Sequence, residues 1–430
     1  MSERARGAAY AIWRAALAAG DVAPLVSRVL RRDGDRILVG DRVCPPRVRV
    51  YGCGKAGGAM ALAVENVLED RITDGLVVVK DGYTAPTRRI RLAEAGHPVP
   101  DARGEAAAVE MVERVKAAGA DELVLFLVSG GGSALTPAPA PPVTLAEKQE
   151  TTRLLLGAGA TINELNAVRK HLSLLKGGQF ARAAAPATVL SLILSDVVGD
   201  PLDVIASGPT APDRSTFAEA LAVLERKGVA ARVPAAVRER LGAGAAGRID
   251  ETPKPGDRLF ERVSNVVIGN NALVVDAAAA EARRLGYRAE LLTRNLEGEA
   301  RQVARQLVAR ARALPPGTCL IAGGETTVTV QGRGRGGRCQ ELALAAAIDL
   351  RAEDALVVLA AGTDGTDGPT DAAGAIVDES TVARGERAGR PARAALDDND
   401  AYTFLSAAGD LVRSGPTNTN LLDLYLVLKS

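Results

Sequence analysis

At 430 residues, 47% of them hydrophobic, with a net charge of +1, the chain suits two globular domains and lacks the basic field a nucleic-acid or anionic-membrane surface needs. Aromatic residues make up 3%, so the cores must be built from Ala, Val and Leu, and stacking platforms for single-stranded nucleic acid are scarce. Four cysteines (Cys44, Cys53, Cys319, Cys339) without a CxxC pair argue against zinc and imply no disulfide, and no apolar run reaches the length of a membrane span.

The N-terminal stretch carries charged residues throughout (Glu3, Arg4, Arg6, Arg14, Asp21, Arg28) and has no apolar leader core; Ala9, Ile12, Trp13 and Leu17 fall at helical spacing, predicting a surface helix and a cytoplasmic protein. Beyond it, short β-branched runs alternate with Ala-rich stretches, the pattern of an α/β fold with a largely parallel sheet. Strands are expected at 47–51, 75–79, 123–128 and 188–194, with helices at 56–69, 104–117, 145–156 and 162–175. In the second half strands are expected at 265–268, 288–292, 318–321, 326–330 and 355–359, and helices at 272–285, 298–313 and 340–347. The Gly/Ala/Pro-rich stretch from Gly242 to Gly256 marks the boundary, giving domains 1–248 and 249–430. Ser207-Gly208-Pro209-Thr210 and Ser414-Gly415-Pro416-Thr417 echo each other and read as Pro-fixed turns.

Several loops carry chemistry. Gly52-Cys53-Gly54-Lys55-Ala56-Gly57-Gly58 follows a strand and opens a helix, with Asp81 ending the next strand; this satisfies a dinucleotide fingerprint and also fits a tight structural turn. Lys55 places an ammonium at the phosphate-facing turn, which better suits a transferring phosphoryl group. Ser129-Gly130-Gly131-Gly132-Ser133 also follows a strand, where open α/β sheets bind ligands, and reads as a phosphate or nucleotide cradle. With only His97 and His171 in the chain, a Ser-His hydrolase is excluded. By local pattern alone, Arg169, Lys170 and Lys176 are a solvated helix end. Asp196 and Asp364 stand after strands, where carboxylates hold Mg²⁺ with substrate phosphates or orient an attacking hydroxyl; Asx turns are the structural alternative. Gly332-Arg333-Gly334-Arg335-Gly336-Gly337-Arg338 concentrates three guanidiniums on a glycine backbone before a helix, the pattern of an anion site. No Walker A sequence and no kinase HRD/DFG set is present.

Taken together, these motifs resemble the type II glycerate kinase family, the glycerate 2-kinases with a C-terminal MOFRL domain. The likeness runs through Tyr51-Gly-Cys-Gly-Lys-Ala56, Gly96-His-Pro-Val-Pro-Asp101, Ser129-Gly-Gly-Gly-Ser-Ala-Leu135, Asn166-Ala-Val-Arg-Lys-His-Leu-Ser173, the segment from Ser195 to Thr210, Gly323-Gly-Glu-Thr-Thr327, Gly336-Gly-Arg-Cys-Gln-Glu-Leu342 and the segment from Ala361 to Asp371. It implies a Rossmann-like N-terminal domain with a largely parallel sheet and flanking helices, a C-terminal α/β domain with the MOFRL region at about 317–425, and an active site in the interdomain cleft. It further implies transfer of the ATP γ-phosphate to the 2-hydroxyl of D-glycerate, with Mg²⁺ or another divalent cation. Neither nucleic acid nor membrane is an expected partner, and the chain is expected to be a monomer or homodimer. The alternatives are an NAD(P)H-dependent hydroxypyruvate reductase and a non-catalytic nucleotide-binding protein.

By the same resemblance Lys55 and Arg338 are the principal catalytic basic residues, with Arg333 and Arg335 as flanking charges on a mobile turn, and Asp196 and Asp364 fall in the acidic motifs as catalytic residues and metal ligands. Substrate and nucleotide binding are expected at Gly52, Gly54, Ser129, Gly130, Gly131, Gly132, Ser133, Arg169, Lys170, Gly324, Glu325, Gly336, Gly337, Thr363 and Asp367. Three positions depart from the family phrases: Cys339 and Leu422 where Asn is expected, and Asn418 where Gly is expected, the last still able to adopt positive φ.

Overall fold

Glu122–Val128 and Thr188–Leu194 are apolar without alternation, the mark of strands covered on both faces, and every residue of both is buried. They lie at the centre of a six-stranded sheet in the order Arg91–Ala95, Ile72–Lys80, Arg47–Cys53, Glu122–Val128, Thr188–Leu194, Val263–Gly269. The neighbours from Arg91–Ala95 to Thr188–Leu194 pair in parallel. The structure is a computed structural model describing residues 2–430, and the chain separates into two units, Val22–Ile268 and a second formed by the residues up to Asp21 with Gly269–Ser430.

In the first unit Cys53 stands opposite both Val78 and Val128, and Val128 opposite Ile193, so these strands end level and their following loops emerge at one edge. The helix Ala102–Val115 covers one face, with Met111, Val112, Phe126 and Phe180 in the core and the two Phe rings 4.1 Å apart. A satellite bundle of Leu145–Gly157, Ile162–His171, Phe217–Arg226 and Ala235–Ala245 packs around Leu154, Val168, Phe217 and Leu224.

The second unit carries a mixed six-stranded sheet in the order Arg288–Leu296, Thr318–Gly324, Asp423–Lys429, Leu356–Gly362, Gly374–Val377, Leu411–Val412. Only the first pair is parallel among the registered neighbours. Helices Ala300–Arg312 and Arg338–Asp349 share a core with Leu320, Val358, Tyr425 and Val427 on one sheet face.

The division differs from the sequence expectation of 1–248 and 249–430 at both ends. The strand expected at 265–268 joins the first sheet, which moves the junction to Ile268. The N-terminal helix Ser2–Ala19 is no surface element of the first unit. Its face of Ala9, Ile12 and Trp13 is fully buried against Asn271–Arg284 of the second. It is fastened there by ions: Arg6 donates to Asp378 at 2.9 Å and Asp410 at 2.6 Å, and both acids also receive Arg384.

Two element expectations fail for visible reasons. Residues 326–330 form no strand, because their backbone donors are scattered: Thr326 N–H goes to the Tyr425 hydroxyl, Thr327 N–H to the Gly298 carbonyl and Thr329 N–H to Glu299. The helix expected at 162–175 ends at His171, where Leu172 and Leu174 turn to exchange backbone hydrogen bonds with Ala140 and Ala138. Among the described residues no helix is long and apolar enough to cross a membrane, and all four cysteines are free.

Candidate active site

The level strand ends of the first unit bring two glycine loops into direct contact. Lys55 N–H donates to the Gly130 carbonyl at 2.8 Å, Ser129 N–H to the Cys53 carbonyl at 3.0 Å, and Ala56 N–H to Ser129 Oγ at 3.0 Å. Gly54, at φ +132°, lies so close that a Cβ would stand 2.1 Å from Ser129 Oγ. This glycine is thus fixed by the meeting of the loops, and Ser129 is a brace between them. Gly131, left-handed at φ +82°, opens the short helix Gly132–Leu135 and faces the His97 ring and the Lys55 stem. Burial, followed by the charges of Lys55 and Lys80, pushes His97 down to about 4, so it is neutral beside this loop at pH 7. Asp196, half-buried, stands at the same edge, following Thr188–Leu194. Asp81 is held by the fork of Arg103 at 2.7 and 2.9 Å, which occupies the carboxylate a dinucleotide ribose would need.

Beneath the Ser129–Ser133 loop lies a concentration of buried basic side chains. Lys176 donates to the Ser133 carbonyl at 2.8 Å and the Thr136 carbonyl at 3.4 Å, and Lys148 donates to the Pro137 carbonyl. Desolvation brings Lys176 down to about 7, and Lys148 well below its ordinary value. The helix Ile162–His171, started by a Thr161–Glu164 capping box, adds Arg169, whose guanidinium pKa is also lowered by burial. Lys170, by contrast, is compensated by Asp213 at 3.2 Å and Asp203 at 3.4 Å. The solvated helix end expected from local pattern is therefore a buried one, with Lys170 in an ion pair.

In the second unit Arg338 begins the helix Arg338–Asp349 and grips Asp423 with two bonds, Nε at 2.6 Å and Nη2 at 3.0 Å, while Nη1 reaches Glu325 at 2.7 Å. Burial opposes the guanidinium charge, but Asp423 and Glu325 hold it protonated. The Tyr425 hydroxyl donates to Asp423 at 3.0 Å. Both Asp423 and Asp364 turn an oxygen toward Gly362, within 3.3 and 3.5 Å of where its Cβ would stand. Thr363 is structural: its hydroxyl donates to the Leu422 carbonyl at 2.8 Å and accepts from Leu421 N–H at 2.7 Å.

The helix N-terminus that the Arg-rich loop was expected to offer to an anion is already capped. Asp367 accepts Cys339 N–H at 3.2 Å and Gln340 N–H at 2.8 Å, and Gly337 must lack a Cβ because one would stand 2.3 Å from the Asp367 carboxyl. Nor is the loop a mobile turn. Gly332, Arg333 and Arg335 donate their N–H groups to Asn399, Asp398 and Asp400, and the Arg335 guanidinium lies 4.8 Å over the Tyr402 ring. Gly336 lies against Gly368, and Gly324 ends its strand against the Leu296 backbone. The departures behave as follows: Asn418 does adopt φ +58°, Leu422 is forced to φ +66° where Asn would be at ease, and Cys339 is buried in the apolar core.

Thus Gly52, Gly54, Lys55, Gly130 and the Ser129–Ser133 loop are brought together in one unit, and Glu325, Arg338, Asp364, Asp367 and Asp423 in the other. Sequence reasoning missed Asp423, His97 and the supports Lys148 and Lys176. A carboxylate opening the apolar run Asp423–Lys429 was the one visible signal. No cluster of three metal-ligating side chains exists among the described residues, and Asp423 is already neutralised by Arg338.

The domain of unknown function DUF4147 matches residues 8–242, and the MOFRL family matches residues 318–423. A protein of Pyrococcus horikoshii named glycerate 2-kinase is 39% identical over 423 residues, covering 96% of this chain and 94% of that one. One of Agrobacterium vitis, named provisionally a hydroxypyruvate reductase, is 42% identical over 394 residues, covering 89% and 88%. The crystal structure of a glycerate kinase from Thermotoga maritima superimposes with a TM-score of 0.87 at 40% identity, covering all of both chains.

Proposed function

The chain belongs to the glycerate kinase family, and from that premise we propose that it transfers the γ-phosphate of ATP to the 2-hydroxyl of D-glycerate, yielding 2-phosphoglycerate and ADP. The observation that carries this reading is the pairing of the Lys55 loop with the Ser129–Ser133 glycine loop above the buried lysines Lys148 and Lys176, whose protonated form burial disfavours and a multiply negative ligand would favour. Phosphoryl transfer asks a protein for positioning and charge stabilisation. Lys55 and Arg338 stabilise the equatorial oxygens of the transferring group. Asp196 or Asp364 would orient the acceptor hydroxyl or hold a divalent cation, which would supply neutralisation of phosphate charge. We place this chemistry in the cytoplasm.

A reductase reading draws on the name of the Agrobacterium relative and on the Gly52–Gly57 fingerprint, but Gly54 is accounted for by Ser129 and Asp81 by Arg103. One experiment separates the two. Purified protein with ATP, Mg²⁺ and D-glycerate is followed by ³¹P NMR, which distinguishes 2-phosphoglycerate from 3-phosphoglycerate, and in parallel by NADH oxidation with hydroxypyruvate and no ATP. Formation of 2-phosphoglycerate without NADH oxidation is expected; the reverse pattern would overturn the kinase reading.

A further inference from the structure

Asn166 and Arg169 sit three residues apart on Ile162–His171, so their side chains share a face. Asn166 is 4% exposed, and its Oδ1 accepts the Ser207 hydroxyl at 3.0 Å. Ser207 Oγ lies 3.1 Å from Ser133 Oγ, so the hydroxyl chain runs from the glycine loop through Ser207 to the amide. That chain fixes which way the amide points. Its Nδ2 group, with two donor hydrogens, has no hydrogen-bond partner among the described residues. A buried donor left unpaired is costly, so such groups serve a ligand or a strained site.

Burial, with the charge of Arg169, pushes both Lys148 and Lys176 toward their neutral form, and Arg240 adds to this at Lys148, so the guanidiniums are the standing charges here. Neither a carboxylate nor a carbonyl among the described residues receives the half-buried Arg169 guanidinium. Lys170, the next residue, shows what a structural cation here looks like, paired with Asp213 and Asp203. The turn presenting Ser207 is held in a costly conformation, with Ala206 at φ +49° and Ser207 at φ +62°.

We propose that Asn166 and Arg169 form the receptor for the acceptor substrate's carboxylate, with Ser133 and Ser207 as positioning residues that hold the amide toward it. The inference rests on the glycerate reading and specifies it. A planar guanidinium beside an amide donor matches the two oxygens of a carboxylate. Anchoring the carboxylate also explains the choice of hydroxyl. The 2-hydroxyl is borne on the carbon attached to the anchored group, whereas the 3-hydroxyl is one rotatable bond farther away. A 2-hydroxy acid is therefore pre-oriented at its second carbon.

The test is steady-state kinetics of the full chain, wild type against Arg169→Ala, Arg169→Lys and Asn166→Ala, with D-glycerate and with its neutral methyl ester. Arg169→Ala should raise KM for D-glycerate by about ten- to a hundredfold, the loss of a charge-assisted hydrogen bond, with KM for ATP unchanged. The preference for D-glycerate over the ester should collapse with it. Arg169→Lys, which keeps the charge and loses the fork, should fall between, and carries the test if Arg169→Ala melts at assay temperature. An unchanged KM for D-glycerate would overturn the proposal, as would a rise confined to ATP, which would make this a phosphate subsite. Wild-type protein that fails to phosphorylate D-glycerate at all would instead overturn the kinase reading.

Discussion

Arg338 and Asp423 face each other through two parallel hydrogen bonds, 2.6 and 3.0 Å long, with the carboxylate 1% exposed and the guanidinium's third nitrogen on Glu325. A guanidinium gripped this way is oriented before substrate arrives, which is what stabilising a developing charge requires. It also means that Arg338 serves two ends. Arg338→Ala should lower kcat at least about a hundredfold, on the scale of a lost oxyanion donor. It should also destabilise the fold by about 3–5 kcal/mol, because Asp423 is left buried without its partner. Turnover and urea denaturation of the same preparation check both, and near-normal kcat would remove Arg338 from the mechanism.

Lys55 gives the contrasting case. Its backbone is pinned to Gly130, and its half-buried side chain passes against Gly131. Lys55→Ala should therefore lose about a hundredfold or more in kcat, by the same reasoning. Its melting temperature should fall by less than that of Arg338→Ala, which strips the partner from a buried carboxylate. A large fall in melting temperature would mark Lys55 as structural.

What could be read in the sequence was what local pattern encodes. The run Thr188–Leu194 predicts its own strand because it is apolar throughout, and the Lys55 and Ser129–Ser133 loops are legible because they follow such strands. Pattern does not encode partners. The apolar stripe of Ile12 and Trp13 announces a buried face, yet nothing in it says that the face meets Asn271–Arg284, far along the chain. The strand Val263–Gly269 was recognisable, but its sheet was not, so the domain boundary fell too early. Asn166 and Asp423 look ordinary in sequence; one becomes notable through an orphaned donor, the other through Arg338, and both facts are tertiary.

The N-terminal helix makes its dependence on a remote network testable. Arg6 bridges Asp378 and Asp410, each 3% exposed or less, and Ser2 adds a bond to Asp378 at 2.9 Å. Arg6→Ala should lower stability by about 1.5–3 kcal/mol, the range for hydrogen bonds to charged groups, with Arg384 retaining part of the network. Hydrogen exchange should show the Ser2–Ala19 amides losing protection before those of Thr188–Leu194. Uniform loss across both elements would mean that the helix opens only with the whole molecule.

Asp367 supplies a pH dependence of unusual sign. Burial raises this carboxyl to about 7, aided by Asp423 and opposed by the N–H groups of Gln340 and Cys339 and by Arg338. The folded protein therefore keeps a proton that the unfolded chain has already released above the ordinary carboxylate range. With more protons bound in the folded state, stability must fall as pH rises from about 4 to about 7, by up to about 1.4 kcal/mol per unit, and level off above. Acids with depressed values, such as Asp378, oppose this only below that window. Asp367→Asn keeps a side-chain oxygen to cap Arg338–Asp349 and cannot titrate. The variant's stability should be flatter between pH 4 and 7 than that of wild type, and its relative stability should improve with pH. Denaturant midpoints taken at pH 5, 6 and 8 read this directly, and parallel curves for the two proteins would show that Asp367 stays ionised in the fold.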